Sequence, residues 1–325
     1  MTAASLVAFG LVFLGASLSL SVLLAGPVLV LGERLRRLGP WVERRAAAAA
    51  LLLPPLLALT IVAVLAADSA VALRAGTDHC LAHDHHRHLC LKHGAAWASQ
   101  AWALALVLST AIFLLVRSGL ALGAQLAAQR SANRLRRLGT GVGAPGCFLV
   151  PARERFAFTA GLFSPAVLVS SAAWEALEPD ERGAVLAHEL CHLAHGDLWR
   201  RAALGLAALL GAPLLAPRLL GTWSLASERI CDRLAAREVG RPSTVASAML
   251  ALSRGAPAAP GPAAAVFAAA SHVPQRVVAL LDEGPCGEKP SKHLLSALGL
   301  AAAFFGLACV AFAEPLHHLL ETLLG

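Results

Sequence analysis

The chain has 325 residues, of which 57% are hydrophobic and only 14% charged, and its mean hydropathy is +0.66. A soluble domain is usually about a quarter charged, so the composition argues against an ordinary soluble protein and predicts a membrane protein with a modest polar domain. The net charge is +7, but the arginines cluster beside apolar segments. That pattern concerns membrane topology and anionic headgroups, and no direct nucleic-acid binding is expected.

In chain order, the first apolar run is about Ala3–Leu31, long enough to cross a bilayer. It lacks a basic start and is too long for a cleavable signal. A loop with Arg34, Arg36, Arg37, Arg44 and Arg45 leads to a second span, Ala46–Ala67. Segment 68–95 then gathers His79, His83, His85, His86, His88 and His93 with Asp78, Asp84, Cys80 and Cys90. This composition suits a second metal site as well as it suits a solvated polar loop, and the two cysteines can pair in an oxidising compartment. A third span, Ala96–Val116, continues as a helix, Ser118–Leu138, bearing Arg117, Arg130, Arg134, Arg136 and Arg137.

Gly139–Gly146 is a break. Three strand candidates follow, Cys147–Val150, Arg155–Thr159 and Ala166–Ser170, predicting a small antiparallel sheet with Ala166–Ser170 as the edge available to extended substrate. Pro179, Asp180 and Glu181 open a helix. Gly196 interrupts it, and Asp197 suits the cap of the next. Ala202–Thr222 is apolar but broken by Gly211, Pro213, Pro217 and Arg218; it reads as a hairpin dipping toward the membrane or as a buried helix pair. Ser243–Arg254 and Val273–Leu281 are helices around a Pro/Ala/Gly linker that starts at Gly255. Lys289 and Lys292 precede a fourth span, Leu294–Ala313.

Basic residues favour the cytoplasmic side. The expected layout is a multi-pass cell-membrane protein with the N-terminus outside, segment 68–95 outside, the region from Arg117 inside and the tail outside. Three parts follow: residues 1–116 with three spans and the His-rich loop, a cytoplasmic domain 117–290, and a fourth span with a short tail, 291–325. Cys147, Cys191, Cys231 and Cys286 then face a reducing compartment. Cys191 and Cys231 read as small residues packed in a helix interface.

The chemistry centres on His188-Glu189-Leu190-Cys191-His192. Four residues make just over one helical turn, so both imidazoles project from one face and can share a metal. Glu189 is then placed as general base toward a water activated by Zn2+. Glu228 and Asp232 form a second i, i+4 pair on a later helix. Glu228 completes a two-His, one-Glu set, and Asp232 can accept a proton from a ligand imidazole. His195 falls on the same helix face as a cleft residue. The chain has no Tyr, so an oxyanion needs His, Arg or backbone N–H donors.

Phe156 to Val169, the run His188–Asp197, and Glu228–Asp232 together resemble the BlaR/MecR family of integral-membrane zinc metallopeptidases. Three N-terminal spans, a cytoplasmic protease and a fourth span fit that layout, and Pro274–Val277 with Leu280-Leu281 look like the end of that peptidase domain. The resemblance implies a mainly α membrane protein: four transmembrane helices with an inserted α+β, gluzincin-like domain. It implies His188, His192 and Glu228 as ligands of one zinc, Glu189 as catalytic base and Asp232 behind the ligands. The implied activity is endopeptidase cleavage of a protein substrate, such as a transcriptional repressor, at the cytoplasmic membrane face. Residues 314–325 alone follow the fourth span, so the family's large penicillin-binding sensor is not expected. HtpX-type quality-control proteases share the motif and are the rival reading. A third is a metal-sensing receptor in which proteolysis is only the relay.

Overall fold

A computed structural model describes residues 3–74, 96–211, 214–254 and 272–282, with four isolated positions at 307, 308, 311 and 315. The His-rich loop, Cys80, Cys90, Cys286, Cys309, the linker and the fourth span lie outside the described residues or nearly so.

Three long apolar helices dominate the N-terminal part: α1 (Ala3–Val30), α3 (Pro40–Arg74) and α4 (Ala101–Leu138), with the short α2 (Gly32–Arg37) between the first two. Each is long and apolar enough to cross a membrane. At 1.5 Å per residue, α4 measures about 57 Å, well beyond a hydrocarbon core of about 30 Å. Its apolar stretch is hardly covered by protein: Leu104, Leu108, Ile112, Leu115 and Val116 are all exposed. Such a surface fits lipid. Val7, Phe9 and Val12 of α1 pack with Leu65 of α3 and Val107 of α4 in one apolar cluster.

The polar part begins with a four-stranded sheet: β1 (Thr140–Gly141), β2 (Cys147–Val150), β3 (Ala157–Ala160) and β4 (Ala166–Ser170), in the order β1-β2-β4-β3. The expected all-antiparallel sheet is corrected here, because β2 and β4 pair in parallel. The expected edge is corrected too. β4 is interior, buried along its whole length as its apolar run Ala166–Val169 requires, and β3 is the outer strand. Gly161 makes the β3–β4 turn possible: its φ is +97°, and a Cβ there would meet the Ser164 carbonyl oxygen at 2.5 Å.

Six helices follow: α5 (Ser171–Ala176), α6 (Pro179–His195), α7 (Asp197–Leu210), α8 (Ala216–Val239), α9 (Pro242–Ser253) and α10 (Val273–Asp282). Glu178 caps α6 in a reciprocal box with Glu181, and Pro179 opens it. This satisfies backbone N–H groups that would otherwise be orphaned. Leu186, Leu190 and Leu193 of α6 lie against Cys147, Val167 and Val169, which fixes the helix over the sheet.

The apolar run at 202–222 resolves into the end of α7 and the start of α8. Leu204, Ala208, Leu219 and Trp223 are buried against Ala25 of α1 and Ala47, Ala50 and Leu51 of α3. One face of this helix pair thus ties the polar part to α1 and α3, while Leu206 and Leu214 are exposed.

Candidate metal centre

Helix α6 presents His188 and His192 one turn apart, and α8 brings Glu228 to face them. His188 Nε2 and His192 Nε2 are 3.2 Å apart. Glu228 Oε2 lies 3.4 Å from the first, and Oε1 lies 3.5 Å from the second. Three donors on a tetrahedron with arms of about 2.0–2.1 Å stand about 3.3–3.4 Å apart. The two imidazole nitrogens lie close to that spacing, each faces a different oxygen of the Glu228 carboxylate, and one donor atom from each of the three residues falls within 4.8 Å of the others. Two nitrogens and a carboxylate suit the chemistry of a zinc-sized ion.

Each imidazole is oriented from behind. His188 Nδ1 lies 3.0 Å from Asp232 Oδ1, and His192 Nδ1 lies 2.8 Å from Asp197 Oδ2. A carboxylate there holds the proton on Nδ1 and leaves the Nε2 lone pair free for a cation. Asp197 was expected as a helix cap. Its side chain makes no cap bond, and Gly196 holds the cap position at φ +61° with Asp197 the first helical residue. The left-handed turn lets the chain reverse sharply enough for the Asp197 carboxylate to reach back to His192.

Each carboxylate in turn meets an arginine. Arg276 of α10 donates Nε to Asp232 Oδ2 at 2.8 Å and Nη2 to Oδ1 at 2.5 Å. Its Nη1 lies 2.9 Å from Glu228 Oε2. Arg44 of α3 donates Nη2 to Asp197 Oδ1. All four of Arg44, Asp197, Asp232 and Arg276 are buried.

These neighbours set the protonation of the site. Burial opposes charge on His188, but the Asp232 and Glu228 carboxylates outweigh it and push its pKa up to about 10. His192 is shifted upward against its own burial by Glu228 and Asp197. Glu228 is held well below the usual carboxylate range: burial opposes this, and Arg276 and the two histidines overcome it. Imidazoles drawn so strongly toward the cationic form mark a pocket short of positive charge. Four carboxylates, those of Glu189, Glu228, Asp232 and Asp197, gather there against the two arginines Arg44 and Arg276, a surplus of acidic groups that suits a cation.

Glu189 is buried on α6 beside this set. Thr159 of the edge strand lies with Oγ1 2.8 Å from Glu189 Oε2 and 3.0 Å from the Glu189 carbonyl oxygen. A hydroxyl has one proton, so it serves one of these acceptors at a time. His195 stands apart from the His188–His192–Glu228 group. Its Nδ1 lies 2.8 Å from the Cys191 carbonyl oxygen, and its ring packs edge-on against Trp41 at 5.3 Å.

Cys191 and Cys231 were read as packed small residues; they are bonded as a disulfide between α6 and α8, with Cα atoms 5.5 Å apart. The reason is register: each sits three residues after a donor, His188 or Glu228, on the faces where the two helices meet. Four contacts around the three candidate ligands were not expected from the sequence, those of Arg44, Thr159, Asp197 and Arg276. Thr159, Asp197 and Arg276 lie in segments that carry the resemblance, Phe156–Val169, His188–Asp197 and Pro274–Val277, whereas Arg44 had no signal beyond its place in a basic loop.

The family model of Peptidase family M48, a zinc metallopeptidase family, matches residues 147–283. No curated protein and no solved structure matches the chain. The matched residues run from β2 to just past α10 and contain His188, Glu189, His192, Glu228, Asp232 and Arg276.

Proposed function

We propose that the chain is a membrane-embedded zinc endopeptidase, in which His188, His192 and Glu228 hold one Zn2+ and Glu189 is the catalytic base. The observation that carries this reading is the convergence of the His188 and His192 Nε2 atoms and the Glu228 carboxylate, with one donor atom from each within 4.8 Å of the others. When bound, zinc supplies a Lewis acid that polarises a carbonyl and makes water acidic near neutral pH. The rest is the work of the chain. Glu189 takes a proton from the water that attacks the scissile carbonyl carbon, and passes it to the leaving amine nitrogen. Thr159 fixes the Glu189 carboxylate for that transfer. Asp232 and Asp197 hold the two imidazoles in one tautomer.

The outer edge of β3 has no strand partner among the described residues. An extended peptide adding to that edge would pass Thr159 and so run along Glu189. The exposed arginines of α2 and of the polar half of α4 support the cytoplasmic face as the side of reaction. A repressor-like protein remains the narrower substrate expectation.

The test is Glu189→Gln in the purified full chain. Zinc stoichiometry should stay at one while cleavage of a casein-type protein substrate is lost, because the amide cannot accept the proton. Full cleavage by the variant would remove Glu189 from the mechanism. Wild-type protein that binds no zinc would refute the reading itself.

A further inference from the structure

Arg44 belongs to α3, a helix of the N-terminal membrane part, and lies 153 positions from Asp197 in the chain. It lies outside the residues matched to the peptidase family. Yet it is 3% exposed, and its guanidinium sits 5.1 Å from the Trp223 ring and 6.0 Å from the Trp41 ring. Among the described residues its charged hydrogen-bond partner is Asp197, through Oδ1. The other oxygen of that carboxylate faces His192 Nδ1. A neighbouring residue makes a parallel contact: Glu43 Oε2 accepts from Arg229 Nη1 at 3.0 Å, next to Glu228 in sequence. One helical turn of α3 therefore holds both elements that carry the donors, the α6–α7 junction and α8.

We propose that Arg44 is a positioning residue for the metal-binding imidazole of His192, acting through Asp197, so that the N-terminal end of α3 sets the metal affinity of a site to which it contributes no donor atom. The inference rests on the metallopeptidase reading above. A carboxylate buried as Asp197 is needs a second partner to stay charged and oriented. His192 alone supplies one hydrogen bond to one oxygen. Arg44 takes the other oxygen and fixes the plane of the carboxylate, and with it the direction of the Nδ1–H bond. Partners of this kind behind a metal-bound histidine are each worth 10–100-fold in affinity. Arg44 lies in the first turns of α3, before Pro54 and Pro55, so a shift of this end of the helix is a shift of Arg44 at the site.

The test uses the full chain in detergent, with zinc affinity measured by chelator competition and ligand geometry read from the Co2+ visible spectrum. Arg44→Met and Asp197→Asn should each weaken zinc on the order of 10–100-fold. The double variant should be no weaker than Asp197→Asn, because the two act in one line. Arg44→Lys keeps the charge but not the fork and should fall between; it also carries the test if Arg44→Met does not fold. Arg36→Gln, on exposed α2, should leave zinc affinity unchanged. Unchanged affinity in Arg44→Met, or additive losses in the double variant, would overturn the proposal while leaving the peptidase reading intact. Wild-type protein without stoichiometric zinc would overturn both.

Discussion

Replacing Arg276 by Met should destabilise the metal-free protein far more than the zinc-loaded one. The guanidinium makes three charge-assisted contacts, two to Asp232 and one to Glu228. Asp232 is 1% exposed, so among the described residues the loss leaves its carboxylate with His188 as the one close counter-charge. Hydrogen bonds to charged groups are worth about 1.5–3 kcal/mol each, but these share two acceptors and are not additive. Breaking a buried ion pair by removing one partner costs about 3–5 kcal/mol, and that is the expected loss without metal. A bound divalent cation restores positive charge to the same carboxylates through Glu228 and His188, so with saturating zinc the loss should shrink to about half or less.

The assay is thermal unfolding in detergent, followed by tryptophan fluorescence, with chelator and with excess zinc. For a polar unit of this size, 1 kcal/mol corresponds to roughly 3–4 °C, so the metal-free variant should melt about 10 °C or more below wild type. Equal losses with and without zinc would refute the reasoning, since the arginine would then be packing rather than balancing charge. A metal-free loss below about 1 kcal/mol would show that the carboxylates are solvated, not buried.

Thr159→Val should lower kcat about 10–100-fold with zinc affinity unchanged, since one hydrogen bond to a charged group is lost and 1.4 kcal/mol is a tenfold rate change; unaltered kcat would free Glu189 of any dependence on the edge strand. The Cys191–Cys231 bond closes a ring with a sequence separation of 40, worth about 4 kcal/mol by loop entropy. Reduction or Cys231→Ser should lower the melting temperature without releasing zinc, because neither sulfur belongs to the His188–His192–Glu228 set; alkylation of both thiols in native, unreduced protein would show that the bond does not form.

The three donors were legible because helical spacing brings them into line within short segments: four residues separate the histidines, and Glu228 shares a turn with Asp232. The start of α6 was legible for the same reason, since Pro179 and Glu181 are local signals. What failed was everything fixed by distant partners. β2 and β4 are joined in parallel across β3, and nothing local in Cys147–Val150 or Ala166–Ser170 distinguishes parallel from antiparallel pairing. Asp197 after Gly196 looks like a cap at the level of sequence; its carboxylate is instead claimed by His192 and by an arginine from another helix. Arg44 looked like one of five topology-setting charges. Arg34, Arg36 and Arg37 are exposed as that role requires, whereas Arg44 is buried.

The two imidazoles thus have the same backing built from different places. His188 leans on Asp232, and Asp232 on Arg276, all within the residues that match the peptidase family. His192 leans on Asp197, and Asp197 on Arg44, which the long apolar helix α3 supplies. The same end of α3 contributes Trp41 against His195 and Glu43 against Arg229, and its next turns bury Ala47, Ala50 and Leu51 against Leu204, Leu219 and Trp223. Buried charges of this kind are costly to separate. The polar part is therefore packed directly on the N-terminal helices, and one of the two backing arginines of the candidate metal site comes from a helix long and apolar enough to cross a membrane. On the reading proposed above, the donor set would be coupled to the position of α3 before any substrate arrives.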